Sequence, residues 1–192
     1  MKTIYNSILD RLNEINISSI NSLYDSLIQQ AQESDVTEEE KTFIIEGINE
    51  TRQKLLANAS LRWIDWDRGQ LKKKDNTGRY PVAYPCALIR IGVTGTTDIT
   101  DKIQDCKTSV TVTLAFDPLS YGRTAANAPE EVRSQGLEPY DVIASVYGLL
   151  QGYGTQSFDC LRRRSQSEVT HSDLFVYQIV FDCEFEDSTA MG

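Results

Sequence analysis

The single histidine, His171, is the side chain whose type suits general-base work at neutral pH. Nucleophilic catalysis would need it within hydrogen-bond reach of a thiol such as Cys160 or Cys183. His171 lies instead in Thr170-His171-Ser172-Asp173, between two strand-like segments, and reads as a solvent-facing residue of a hairpin turn. Asp65 and Asp67 flank Trp66 and would share a strand face, as paired catalytic carboxylates do. Arg62 and Arg68 stand beside them, so surface ion pairing accounts for both. Gly92-Val93-Thr94-Gly95 and Gly152-Tyr153-Gly154 lack the spacing and the lysine of a phosphate loop. Cys86, Cys106, Cys160 and Cys183 are scattered with no CxxC pair, which points away from zinc and redox chemistry and toward reduced, mostly buried thiols. The sequence thus assigns no catalytic residue, no metal site and no cofactor.

The remaining candidates are contact residues. Lys72-Lys73-Lys74 belongs to a solvated loop or a contact, and Trp63 and Trp66 would face opposite ways on a strand, one into the core and one to an interface or rim. In Arg162-Arg163-Arg164, alternation sets Arg162 and Arg164 on one face, where their guanidinium forks would meet carboxylates of a partner or else protect a sheet edge. The interface residues assigned on this basis are Arg162, Arg164, Trp66, Lys72, Lys73 and Lys74.

The elements that must position these residues follow from periodicity. Ile4, Ile8, Leu12 and Ile15, then Ile20, Leu23, Tyr24, Leu27, Ile28 and Ala31, recur at helical spacing, predicting two helices or one broken helix over 2–32. Thr37-Glu38-Glu39-Glu40 fits a capping box that opens a third helix to about Ala57. From Leu61 the period becomes that of strands: 61–66, 82–91 with Pro85 at a start, edge or bulge, 110–116, 158–164, and 175–185 with apolar residues at every odd position. Residues 117–138 read as a long aperiodic loop, after which Pro139 opens a helix carrying Tyr140, Ile143, Val146, Tyr147 and Leu150. The order predicts an α+β fold with a mainly antiparallel sheet and a packed helix, preceded by a helical N-terminal extension over 1–60, with the α+β domain over 61–192.

Charge narrows the function classes. The net charge is −9, with five basic and ten acidic groups in residues 1–60, six and three in 61–79, and eight and fifteen in 80–192. Such a balance argues against neutralising a DNA backbone. No apolar run is long enough to span a bilayer, and the start lacks a signal peptide's order, so no membrane association is expected.

The order of a first helix (Ile4 to Ile15), strands around Pro81 to Ile91 and Ser109 to Phe116, a long loop, a helix (Tyr140 to Leu150) and two closing strands resembles the tail-terminator and tail-completion proteins of tailed bacteriophages and prophages. The segments Leu61-Arg62-Trp63-Ile64-Asp65-Trp66-Asp67-Arg68-Gly69-Gln70-Leu71 and Tyr80-Pro81-Val82-Ala83-Tyr84-Pro85-Cys86-Ala87-Leu88-Ile89 are similar to stretches of such proteins from phages of Bacteroidetes. The resemblance implies a structural virion protein with no catalytic residues. It would assemble in the host bacterial cytoplasm into a homo-oligomeric ring, of roughly six or twelve subunits, at the head–tail junction or tail end. Its partners would be other copies of itself and neck, portal or tail-tube proteins, and DNA would pass through without specific binding. The stretch from Ile17 to Ala57 is longer than a minimal member of that family carries and would serve as a docking arm. A soluble adaptor that forms no ring is the alternative.

Overall fold

The computed structural model describes residues 1–57, 59–120 and 127–189. Three helices come first: α1 (Lys2–Asn13), α2 (Ile17–Glu33) and α3 (Glu38–Ala57). Strands β1 (Trp63–Trp66), β2 (Cys86–Thr100) and β3 (Ile103–Phe116) follow, then α4 (Glu130–Leu150), β4 (Arg162–Val169) and β5 (Phe175–Asp187). This is the expected α+β fold, with one sheet ordered β1-β2-β3-β5-β4 in which only the β1–β2 pair is parallel. Among the described residues no helix is long and apolar enough to cross a membrane.

One sheet face carries the main core. Ala87, Ile89 and Ile91 of β2, Val110, Val112, Leu114 and Phe116 of β3, and Ile179, Phe181 and Cys183 of β5 meet Val142, Ile143, Val146 and Leu150 of α4. Ile4, Ile8, Leu12 and Ile15 join them, so α1 is a wall of this core. Fully burying a side chain of this kind stabilises by about 1.5–3 kcal/mol. On the opposite face Cys86, Leu88, Ala115 and Val176 form a smaller cluster, covered by Leu71, Val82, Tyr84, Val169 and Leu174.

The helical part that stands apart is therefore the α2–α3 hairpin. Asn16 caps α2, its Oδ1 accepting from the backbone N–H groups of Ser18 and Ser19 at 2.9 and 3.1 Å. The chain leaves the body at Ile15 and returns at Leu61. The two are joined there by the Leu61 N–H to Ile15 carbonyl bond of 2.9 Å and the Ile17 N–H to Leu61 carbonyl bond of 2.8 Å. At α3 the capping box forms as the sequence implies: Thr37 Oγ1 accepts from the Glu40 N–H at 3.3 Å, and Glu40 Oε2 accepts from the Thr37 N–H at 3.0 Å.

Several boundaries move. Helix α4 starts at Glu130, so Pro139 lies inside it, buried, instead of opening it. Pro129 and the acidic pair Glu130-Glu131 supply a start that suits the positive end of the helix dipole. The expected loop over 117–138 is thus helical from Glu130, and its residues 121–126 lie outside the described residues. Strand β2 begins one residue after Pro85 and runs to Thr100, and β3 begins at Ile103, which makes a long ribbon whose distal half is mostly exposed. Strand β4 occupies 162–169 in place of the expected 158–164.

Candidate assembly interface

Arg162 and Arg164 begin β4, the outermost strand. Opposite Phe181 and Val180 of β5 the register skips from Arg163 to Ser165, so Arg164 is an extra, bulged residue. Even so, both arginines line one cleft of about 240 Å3 on the sheet face away from the helices, together with Lys107, Asp159, Asp182 and Glu184. Arg164 Nη1 lies 3.3 Å from Asp182 Oδ1, with both side chains about half exposed. Arg162 meets the Cys160 side chain. Three cations against three carboxylates give a mixed surface, suited to pairing with a partner's charges of either sign and too balanced to concentrate an anion. Arg163 faces the helical side, where its guanidinium stacks 4.0 Å from the Tyr147 ring of α4 and its backbone N–H donates to Gln151 Oε1 at 3.0 Å.

Both long edges of the sheet are open beside this cleft. Strand β1 pairs with β2 only from Cys86 to Ile89, and among the described residues no strand lies on the outer side of β2, the side away from β3, from Arg90 to Thr100. Strand β4 pairs on one side only, with β5, and its residues from Arg162 to Glu168 are exposed. Such edges present unpaired N–H and C=O groups to another chain. Register shifts at Val93/Gly95 and Asp98/Thr100 interrupt the β2 edge.

The lysine run divides. Lys74 Nζ lies 3.0 Å from Asp173 Oδ2, and the same oxygen accepts from Tyr80 Oη at 2.9 Å and Ser172 Oγ at 2.9 Å. The Lys74 hydrogen bond, with those of Tyr80 and Ser172, holds the Asp173 carboxyl below the usual carboxylate range, at about 2. Lys74 is therefore a strut fixing the loop over 67–85 to the β4–β5 turn, while Lys72 and Lys73 stay exposed. Of the two tryptophans, Trp66 is half-buried against Tyr5 of α1, ring centroids 5.0 Å apart, and Trp63 is 40% exposed. The exposed indole is thus Trp63, and the one that packs against α1 is Trp66.

The residues that could have done chemistry have structural work. His171 is half-buried, not in solvent. Its Nδ1 accepts from the backbone N–H groups of Asp173 and Leu174, both at 3.2 Å, so Nε2 donates to the Leu71 carbonyl at 3.0 Å. Both ring nitrogens are spent on the same loop junction. Asp65 accepts from the Trp66 N–H at 2.7 Å and from Gln70 Nε2 at 3.2 Å, with Arg68 at 3.6 Å, and Asp67 pairs with Arg90 at 2.7 Å. Burial pushes the thiol of Cys86 up to about 12 and that of Cys183 up to about 11, and raises Cys106 as well. Among the described residues no group of three or more His, Cys, Asp or Glu is placed to hold a metal ion. Neither a protein-family model nor a curated protein matches this chain.

Sequence reasoning missed the open edge of β2. Its outer half is exposed on both faces and so carries no hydrophobic alternation, and its one signal is the threonine-rich run Thr94-Gly95-Thr96-Thr97.

Proposed function

We propose that this chain is a structural virion protein of a tailed bacteriophage, a homo-oligomeric ring that joins or terminates the tail and lets DNA pass. The observation that carries this reading is the pair of open edges on opposite sides of one sheet, β2 beyond Ile89 and β4. Two different edges on one subunit make heterologous contacts, and heterologous contacts close into rings when the rotation per subunit divides the circle. The net charge of −9 suits a lumen through which DNA must slide without being held. Neck, portal and tail-tube proteins are the partners, and the ring assembles in the bacterial cytoplasm before joining the virion.

The adaptor reading draws its support from the α2–α3 hairpin, which packs on itself outside the main core. Mass measurement and negative-stain images separate the two. Rings, formed alone or on added tail tubes, are the expected result. Monomers in both conditions overturn the proposal and leave the adaptor.

A further inference from the structure

Neutral imidazole donates at one ring nitrogen and accepts at the other, whereas imidazolium donates at both. At His171 the acceptor is Nδ1, because the backbone N–H groups of Asp173 and Leu174 both point at it from 3.2 Å. The donor is Nε2, which lies 3.0 Å from the carbonyl of Leu71, a hundred residues away in sequence. A second proton would enter at the one nitrogen that already faces two N–H groups. Both bonds within the turn would be lost, and because the ring is rigid, turning Nδ1 away from the turn carries Nε2 away from Leu71.

The residues joined through this ring share a task. Leu71 of the loop over 67–85 and Leu174 at the end of the β4–β5 turn both cover the smaller cluster of Cys86, Leu88, Ala115 and Val176. One half-buried side chain thus ties two parts of one cover together. Of the titratable groups around it, Tyr80 sets its ring at 70° to the imidazole with centroids 5.4 Å apart, and Lys74 Nζ lies 5.3 Å from the Tyr80 centroid and 3.0 Å from Asp173 Oδ2. Asp173 titrates at about 2, so its pair with Lys74 stays charged in mild acid. Lys72 and Lys73, beside Leu71, and Glu168 on β4 are exposed. We propose that His171 is a pH-operated clip on this cover, closed while its imidazole is neutral and released by the second proton, with the Lys74–Asp173 pair keeping the released loop tethered. Imidazole is the side chain whose ordinary proton uptake falls between about pH 8 and 5, so the device works under mild conditions. It uses neither sheet edge and is independent of ring formation.

The test is amide hydrogen exchange, read by NMR on the full chain at about pH 7.5 and about pH 5, with each rate divided by the intrinsic rate at that pH. The amides of Asp173 and Leu174 are expected to lose at least about tenfold in protection at the lower pH, as the loss of two hydrogen bonds implies, while that of Ile179 in β5 stays protected. His171→Gln offers an acceptor and a donor but takes up no proton, so its protection should be the same at both values. Proton–nitrogen spectra of the one imidazole report its charge state directly, and they decide the matter even if the variant fails to fold. An imidazolium at about pH 5 with both amides still protected overturns the proposal. So does an imidazole that is still neutral there, or a pH response that survives in His171→Gln.

Discussion

Cys183 sits on the main-core face of β5 at 5% exposure, where its thiol serves as a small apolar group. Cys183→Ser places a hydroxyl among Val110, Phe181 and their neighbours, and is expected to lower stability by about 1–3 kcal/mol by chemical denaturation. Because burial also raises the thiols of Cys86, Cys106 and Cys183, a thiol reagent applied to the native protein should react quickly with the half-buried Cys160 alone. Quick reaction at three or four thiols would show that the sulfurs are not core atoms. At Asp173 the sign of the pH effect follows from its depressed pKa. A carboxyl that titrates at about 2 when folded and near about 4 when unfolded adds stability above the upper value and loses it as pH falls toward the lower. Its side chain is exposed, so the contribution is small. The Tm gap between the parent and Asp173→Asn is expected to be present at neutral pH and to close as pH falls through that window. A gap that persists to the acid end would assign it to something other than the carboxylate's charge.

Helix α1 and helix α3 have similar apolar spacing in sequence and opposite fates in the fold. Ile8 is fully buried, so Ile8→Ala should cost about 2–5 kcal/mol, whereas Phe43, 79% exposed, should change stability by no more than about 0.5 kcal/mol when truncated to Ala. Thermal unfolding of the two variants checks this, and equal losses would mean that α1 is an appendage like the arm. The contrast also marks what was legible beforehand. Periodicity showed that both segments are helices, and the odd-numbered apolar run from Phe175 to Phe185 showed β5, because in each case one face is at least partly covered and the period records it. It set β4 too early, at 158–164, and was silent on the distal β2–β3 ribbon; the residues of both are held by ladder hydrogen bonds to β5 and to each other while most of their side chains meet solvent. Pro139 misled for a different reason. It loses one helical hydrogen bond, a cost normally sufficient to end a helix, yet it is buried within α4 while Pro129 and Glu130-Glu131 set the true start. At the candidate interface the alternation of Arg162 and Arg164 was readable and the bulge between Arg163 and Ser165 was not, since a bulge leaves no mark in side-chain type.

For the whole molecule, the arginine cleft offers the sharpest test of the assembly reading. Asp159, Asp182 and Glu184 already surround Arg162 and Arg164, so carboxylates placed there would repel within the chain, and neutral replacements are cleaner. Arg162→Gln with Arg164→Gln should leave Tm nearly unchanged, because exposed pairs contribute only about 0–1 kcal/mol. It should weaken assembly or tail attachment in sedimentation and imaging, and a double variant that assembles as the parent does removes the cleft from the interface. The position of α1 has a further consequence, one that concerns synthesis. Ile4, Ile8 and Leu12 leave the ribosome long before Ile179, Phe181 and Cys183, which belong to the same core. Loop closure on that scale is slow compared with forming a helix hairpin, so the α2–α3 arm is expected to be ordered while α1 still waits with its apolar face exposed. Pulse-labelled hydrogen exchange during refolding should find amides of Tyr24 to Ala31 protected before those of Ile8 to Leu12, and the reverse order would exclude this sequence of events. Nascent chains stalled before β5 should bind holdase chaperones through that same face of α1.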